Sequence, residues 1–197
     1  MPSRTPRTPR RISEIMATHR LMTAEGLLAR SAPHARAELV GGRLIARELA
    51  GYEHGYVASR VLVAIATFVQ RQQLGHVLAA ETGFTLFRAP DTVRAPDVAY
   101  VSAARVPTAA MRHGFPELAP DLAVEILSPD DRAGEVRRRV RDWIAAGTRL
   151  VWIIDPIRRA AHVHRADGSA ARRTVDDLLS GDDVLPGFSV TMRDLLG

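Results

Sequence analysis

The sequence predicts a single α/β domain with a central mixed β-sheet flanked by helices. Three observations carry that prediction. Short apolar runs bounded by Gly or Pro recur along the chain, as strands do. Two longer segments, residues 54–73 and 134–146, place apolar side chains at three- and four-residue steps, the period of an amphipathic helix. The second lies between two almost wholly apolar runs, and strand, helix, strand in that order marks a crossover that sets two parallel strands side by side.

Residues 1–20 hold Pro2, Pro6 and Pro9 among Ser, Thr and Arg and carry too little apolar content to pack. A disordered basic tail is therefore expected over residues 1–21 and one domain over 22–197. Thr23 is a suitable N-cap for a short helix over residues 24–30. Ala37–Val40, the pair Gly41-Gly42 and Arg43–Ala46 read as strand, tight turn and return strand, an N-terminal hairpin. The long helix follows, with Val57, Val61, Ile65, Phe68 and Val69 on its inner side. Strands are expected at residues 77–80, 83–87 and 95–101, then at 122–127 in the centre of the sheet. The second helix buries Val136, Val140, Trp143 and Ile144 and ends at Gly147. A buried strand at residues 150–154 stops at Asp155-Pro156, and residues 161–165 and 176–196 form a small C-terminal β extension with a terminal packing segment.

Composition narrows the chemistry. A chain of 197 residues, 46% apolar, is long enough to bury a hydrophobic core. It has no cysteine, which excludes disulfides and thiolate metal sites and leaves carboxylates, carbonyls, histidines and water to hold any metal. No window approaches the roughly 20 apolar residues of a membrane span, and no apolar stretch follows the N-terminal arginines, so a cytoplasmic location without a membrane partner is expected. The formal charge is +5, but five arginines against Glu14 give residues 1–20 a charge of +4, so the remainder is nearly neutral. Such a tail raises DNA affinity through counterion release, and it is equally a common solubilising extension. There is no lysine, and every fixed positive side chain is arginine.

The most informative residue is Glu125, inside the run Leu122-Ala123-Val124-Glu125-Ile126-Leu127. An ionised carboxylate there costs several kcal/mol unless a positive group neutralises it, and a bound cation would do so. Strand alternation offers the plainer alternative, an exposed face for Glu125. Asp97, after Pro96 and among apolar residues, is a second such acid, or else an ordinary turn residue. Two carboxylates converging from neighbouring strands would suit Mg²⁺ or Mn²⁺ with several waters retained. Asp130, Asp131 and Asp155 read as capping and turn residues. His162 and His164 alternate on one strand face, but two histidines without a third ligand are weak grounds for a metal.

The segments Arg94-Ala95-Pro96-Asp97-Val98-Ala99, Val124-Glu125-Ile126-Leu127-Ser128-Pro129 and Val151-Trp152-Ile153-Ile154-Asp155-Pro156, in that order and with Gly147 between the last two, resemble the Uma-two family of restriction-endonuclease-like proteins, within the PD-(D/E)XK nuclease superfamily. The likeness extends from about Met22 to Leu196 and takes in Glu38-Leu39-Val40-Gly41-Gly42 and Leu185-Pro186-Gly187-Phe188. It implies the restriction-endonuclease-like fold, with Asp97 and Glu125 as catalytic metal ligands, Glu38 as a third carboxylate near the metal, and His54 at the start of the long helix as a further candidate. The cofactor implied is Mg²⁺ or Mn²⁺, the activity hydrolysis of DNA phosphodiesters, and the partner DNA, with a homodimer left open.

One residue departs from the pattern. Arg139 stands where the family usually has a lysine, four residues before the aromatic Trp143, so the two share a helix face. Arginine still offers positive charge to a phosphate, but it does not deprotonate and presents a planar fork. Arg139 is thus the expected catalytic cation, with Arg137, Arg138 and Arg141 nearby for phosphate contacts. The alternative is a catalytically impaired nuclease-fold protein serving as a DNA-binding or protein-interaction module.

Overall fold

The computed structural model describes residues 21–30 and 37–197, so the expected tail lies outside the described residues except for Leu21. Leu21 packs over Gly42, and the Met22 N–H donates to the Gly42 carbonyl at 2.8 Å. Helix α1 (Ala24–Leu28) is capped by Thr23, whose side chain accepts from the Gly26 N–H, and it stops two residues short of the sequence expectation.

Strands β1 (Ala37–Val40) and β2 (Arg43–Ala46) form the expected hairpin. Gly41 and Gly42 both take positive φ, +57° and +75°, as the mirror-image two-residue turn requires. Helix α2 (Tyr52–Gln72) buries Val57, Val61, Ile65 and Val69. Strands β3 (Gly75–Ala79), β4 (Phe84–Phe87), β5 (Thr92–Arg94) and β6 (Val98–Ser102) follow. The single strand expected at residues 95–101 is therefore corrected. Pro96 has no N–H to give a ladder, so β5 ends before it, β6 begins after it, and residues 95–97 link two sheets.

Strand β7 (Leu122–Ile126), helix α3 (Ala133–Ala145) and strand β8 (Leu150–Asp155) make the crossover, with β7 and β8 parallel. Gly147, at φ +103°, ends the helix with a backbone that favours glycine, and the Thr148 N–H closes back on the Trp143 carbonyl. Strands β9 (Ala160–Arg165) and β10 (Ala170–Thr174) continue the sheet, and β11 (Leu178–Ser180), β12 (Ser189–Thr191) and helix α4 (Met192–Leu196) form the C-terminal extension.

The main sheet has six strands in the order β10-β9-β8-β7-β6-β3, and a second sheet has four in the order β2-β1-β5-β4. Alternation along the central strands assigns each face. Tyr100, Leu122, Val124, Ile126, Trp152 and Ile154 pack with α2 and the C-terminal segment, while Ala99, Ala123, Val151 and Ile153 lie with Phe84 and Trp143 of the α3 side. Glu125 falls in register with Ile153 and so belongs to the α3 side. No helix among the described residues is long and apolar enough to cross a membrane.

Candidate active site

Glu125 is 1% exposed, and its two oxygens are held by one face of α3. The indole N–H of Trp143 donates to Oε1 at 2.9 Å, and Arg139 Nη1 donates to Oε2 at 3.1 Å. The i,i+4 spacing of Arg139 and Trp143 is what lets both reach a single carboxylate. Burial pushes the Glu125 carboxyl up to about 7; the Arg139 charge works against this rise, the nearby charges of Asp97 and Glu38 add to it, and the Trp143 N–H works against it.

Asp97 sits at the same end of the sheet, one residue before β6, the antiparallel neighbour of β7. Its N–H donates to the Val124 carbonyl at 3.0 Å, and its Oδ2 accepts from the Ile126 N–H at 2.7 Å. Proline breaks the strand, and these two bonds replace the lost ladder. His54, on the first turn of α2, places Nε2 3.2 Å from Asp97 Oδ2. The Asp97 hydrogen bond raises the imidazole pKa, burial opposes that rise, and the Ile126 carbonyl adds to it.

Glu38 is also buried, and like Glu125 it has a hydrogen bond on each oxygen. Oε2 accepts from Arg94 Nη1 at 2.9 Å and Oε1 from the Ala95 N–H at 3.2 Å. Arg94 in turn binds Asp142 on α3, which ties the hairpin sheet to the crossover helix. Among the described residues no group of three or more His, Asp or Glu is disposed to hold a metal ion.

Asp131 differs from its expected role. It does not cap α3, whose N-cap is Arg132; it accepts from the Ser128 N–H at 2.8 Å and pairs with Arg139 Nη2. Arg139 is thereby locked between Asp131 and Glu125. Asp155 does act as a turn residue, accepting from the Arg158 N–H at 2.9 Å. His162 and His164 stack with ring centroids 6.5 Å apart on β9, where His162 pairs across the sheet with Ile153.

Sequence reasoning missed Arg47. Its Nη1 lies 4.0 Å from Glu38 Oε2 and its Nη2 3.8 Å from Glu125 Oε2, bridging the two buried glutamates. The signal was present in the hairpin: Ile45 is the cross-strand partner of Glu38, and Arg47 is two residues further on, hence on the same face.

No curated protein matches this chain. Four chains of known structure do. One is described as "a putative nuclease belonging to DUF820 from Anabaena variabilis ATCC 29413"; it is 22% identical, with 89% of this chain and 97% of that one covered at a TM-score of 0.77, and it shares the fold. The model of the Uma2 family, described as "Putative restriction endonuclease", matches residues 24–193, and the chain belongs to that family.

Proposed function

We propose that this chain is a Mg²⁺- or Mn²⁺-dependent phosphodiesterase acting on DNA, with its site at Asp97 and Glu125. The observation that carries the reading is the placement of these two acids at one end of the paired strands β6 and β7, near enough for the charge of Asp97 to act on Glu125, with Arg139 in direct contact with the second. The residues fit a hard cation. The donors are all oxygen, Asp97 Oδ1 takes no hydrogen bond among the described residues, and Glu125 is a buried carboxyl whose oxygens accept from Trp143 and Arg139. When bound, the metal would lower the pKa of a water and offset charge on the phosphate.

The chain's own residues then have distinct tasks. The Ile126 N–H and His54 orient Asp97. Trp143 and Arg139 fix the Glu125 carboxylate, and Asp131 fixes Arg139. Glu38, paired with Arg94, adds negative charge beside Glu125 and anchors the hairpin to α3 through Asp142.

A second reading is favoured by one feature, the burial and double pairing of Arg139, which leave it little freedom to follow a phosphate. It is a nuclease-fold protein that binds DNA or another protein without cutting. Incubating the purified chain with single- and double-stranded DNA in Mg²⁺, Mn²⁺ or EDTA separates the two. Metal-dependent cleavage supports the first, and none on either substrate leaves the second.

The Glu125 shift gives a pH dependence. A carboxyl raised to about 7 is protonated below that pH and ligates a cation only when ionised. Cleavage at subsaturating Mg²⁺ should therefore rise between about pH 6 and 8, and the midpoint should move to lower pH as Mg²⁺ increases. A midpoint fixed at all metal concentrations would remove Glu125 from metal binding.

A further inference from the structure

We propose that Arg47 is the phosphate-contacting residue of this site, a guanidinium poised to grip a backbone phosphate of DNA lying over Glu38 and Glu125; this rests on the nuclease reading above. Three arginines face the buried carboxylates, and they differ in what they have left to give. Arg94 is 1% exposed and spans Glu38 and Asp142. Arg139 is 5% exposed and spans Glu125 and Asp131. Both are held on two sides and shielded from solvent.

Arg47 has the opposite character. Its side chain is 29% exposed, and the carboxylate oxygens it faces, at 3.8 and 4.0 Å, lie beyond hydrogen-bond distance. None of its donors makes a hydrogen bond among the described residues. The two glutamates draw it over the site by charge alone, without fixing its orientation. A planar fork with all its N–H groups unspent matches the paired oxygens of a phosphate, and a short bidentate contact would exceed the two long ones it gives up. Its place just past β2, on the face shared with Glu38 and Arg94, puts it at the solvent edge of the site rather than in its floor. The role that sequence position suggests for Arg139 thus falls to Arg47.

The test measures binding, without metal. A short fluorescein-labelled DNA oligonucleotide, single-stranded and duplex, is titrated with the full chain in EDTA at several salt concentrations. Arg47→Gln should weaken binding about five- to tenfold and lower the magnitude of the salt slope by about one, while Arg47→Lys keeps the slope with intermediate affinity. Arg71→Gln, at the far end of α2, should change neither. If Arg47 is only a counter-ion, both Arg47 variants will bind as wild type does with an unchanged slope, and the proposal is overturned even if the chain cuts DNA with Mg²⁺. A wild-type chain that neither binds nor cuts DNA overturns the nuclease reading and this one together. The Arg47→Lys arm keeps the comparison available should Arg47→Gln fail to fold.

Discussion

Asp97→Asn is expected to lower metal-dependent DNA cleavage by about two to three powers of ten while leaving the fold intact. Asparagine is nearly isosteric and retains a carbonyl oxygen that can accept from the Ile126 N–H, the bond that places residue 97 against β7. What it loses is the negative charge and the second anionic oxygen. Loss of one electrostatic group at an active site has consequences on the scale stated. Stability should change by no more than about 1 kcal/mol, since the local hydrogen bond survives. Thermal melting alongside the cleavage assay checks both halves. Undiminished cleavage by a well-folded Asp97→Asn protein would move the catalytic centre elsewhere.

Arg139→Ala should have the largest effect on stability, and the loss should depend on pH. Removing one partner of a buried ion pair costs about 3–5 kcal/mol because the other charge is left uncompensated. Here the remaining charge can be neutralised. The folded-state pKa of Glu125 is raised to about 7 from an unperturbed 4.5, so its contribution to stability is fully present below about 4.5 and is lost as pH rises through 7. Without Arg139 that pKa rises further. At about pH 8 the variant should show the full loss, and at about pH 5, where Glu125 carries a proton and still accepts from Trp143, the loss should shrink to about 1–2 kcal/mol. Urea unfolding at the two pH values measures the difference. A loss equal at both would mean that packing of the arginine stem, not the Glu125 charge, sets the cost.

Several parts of this site were legible in the sequence because they rest on local pattern. Glu125 stood out as the one polar residue in an apolar run, and the i,i+4 pair Arg139 and Trp143 was placed on one helix face by helical geometry alone. The crossover followed from element order. What was not legible depends on contacts between distant residues. Strand β5 is three residues long, too short for periodicity, and it exists because Val93 pairs with Leu39 of the hairpin. That pairing brings Arg94 to Glu38, 56 residues away in sequence, and so places that acid in a buried ion pair that local pattern does not foretell. Asp131 had the position of a cap, but the guanidinium one helix turn away from Trp143 captured it instead. Arg47 was identifiable by strand parity, yet an exposed-looking arginine in a chain with 27 positive side chains gives no reason to apply the test.

The site draws its parts from two sheets. Glu38, Arg47 and Arg94 arrive with the four-stranded sheet, whereas Asp97, Glu125, Arg139 and Trp143 arrive with β6, β7 and α3. Residues 95–97 are the shortest of three links between the two sheets in sequence, and the Arg94 pair with Asp142 and the place of Arg47 between Glu38 and Glu125 join them across space. Changes at the Gly41-Gly42 turn leave the pairing of β6 with β7 intact, whereas changes of charge at Glu38 or Arg47 reach Glu125 directly. The hairpin edge and the buried acids are thus electrostatically coupled, and a lineage that alters the charge of one must compensate in the other.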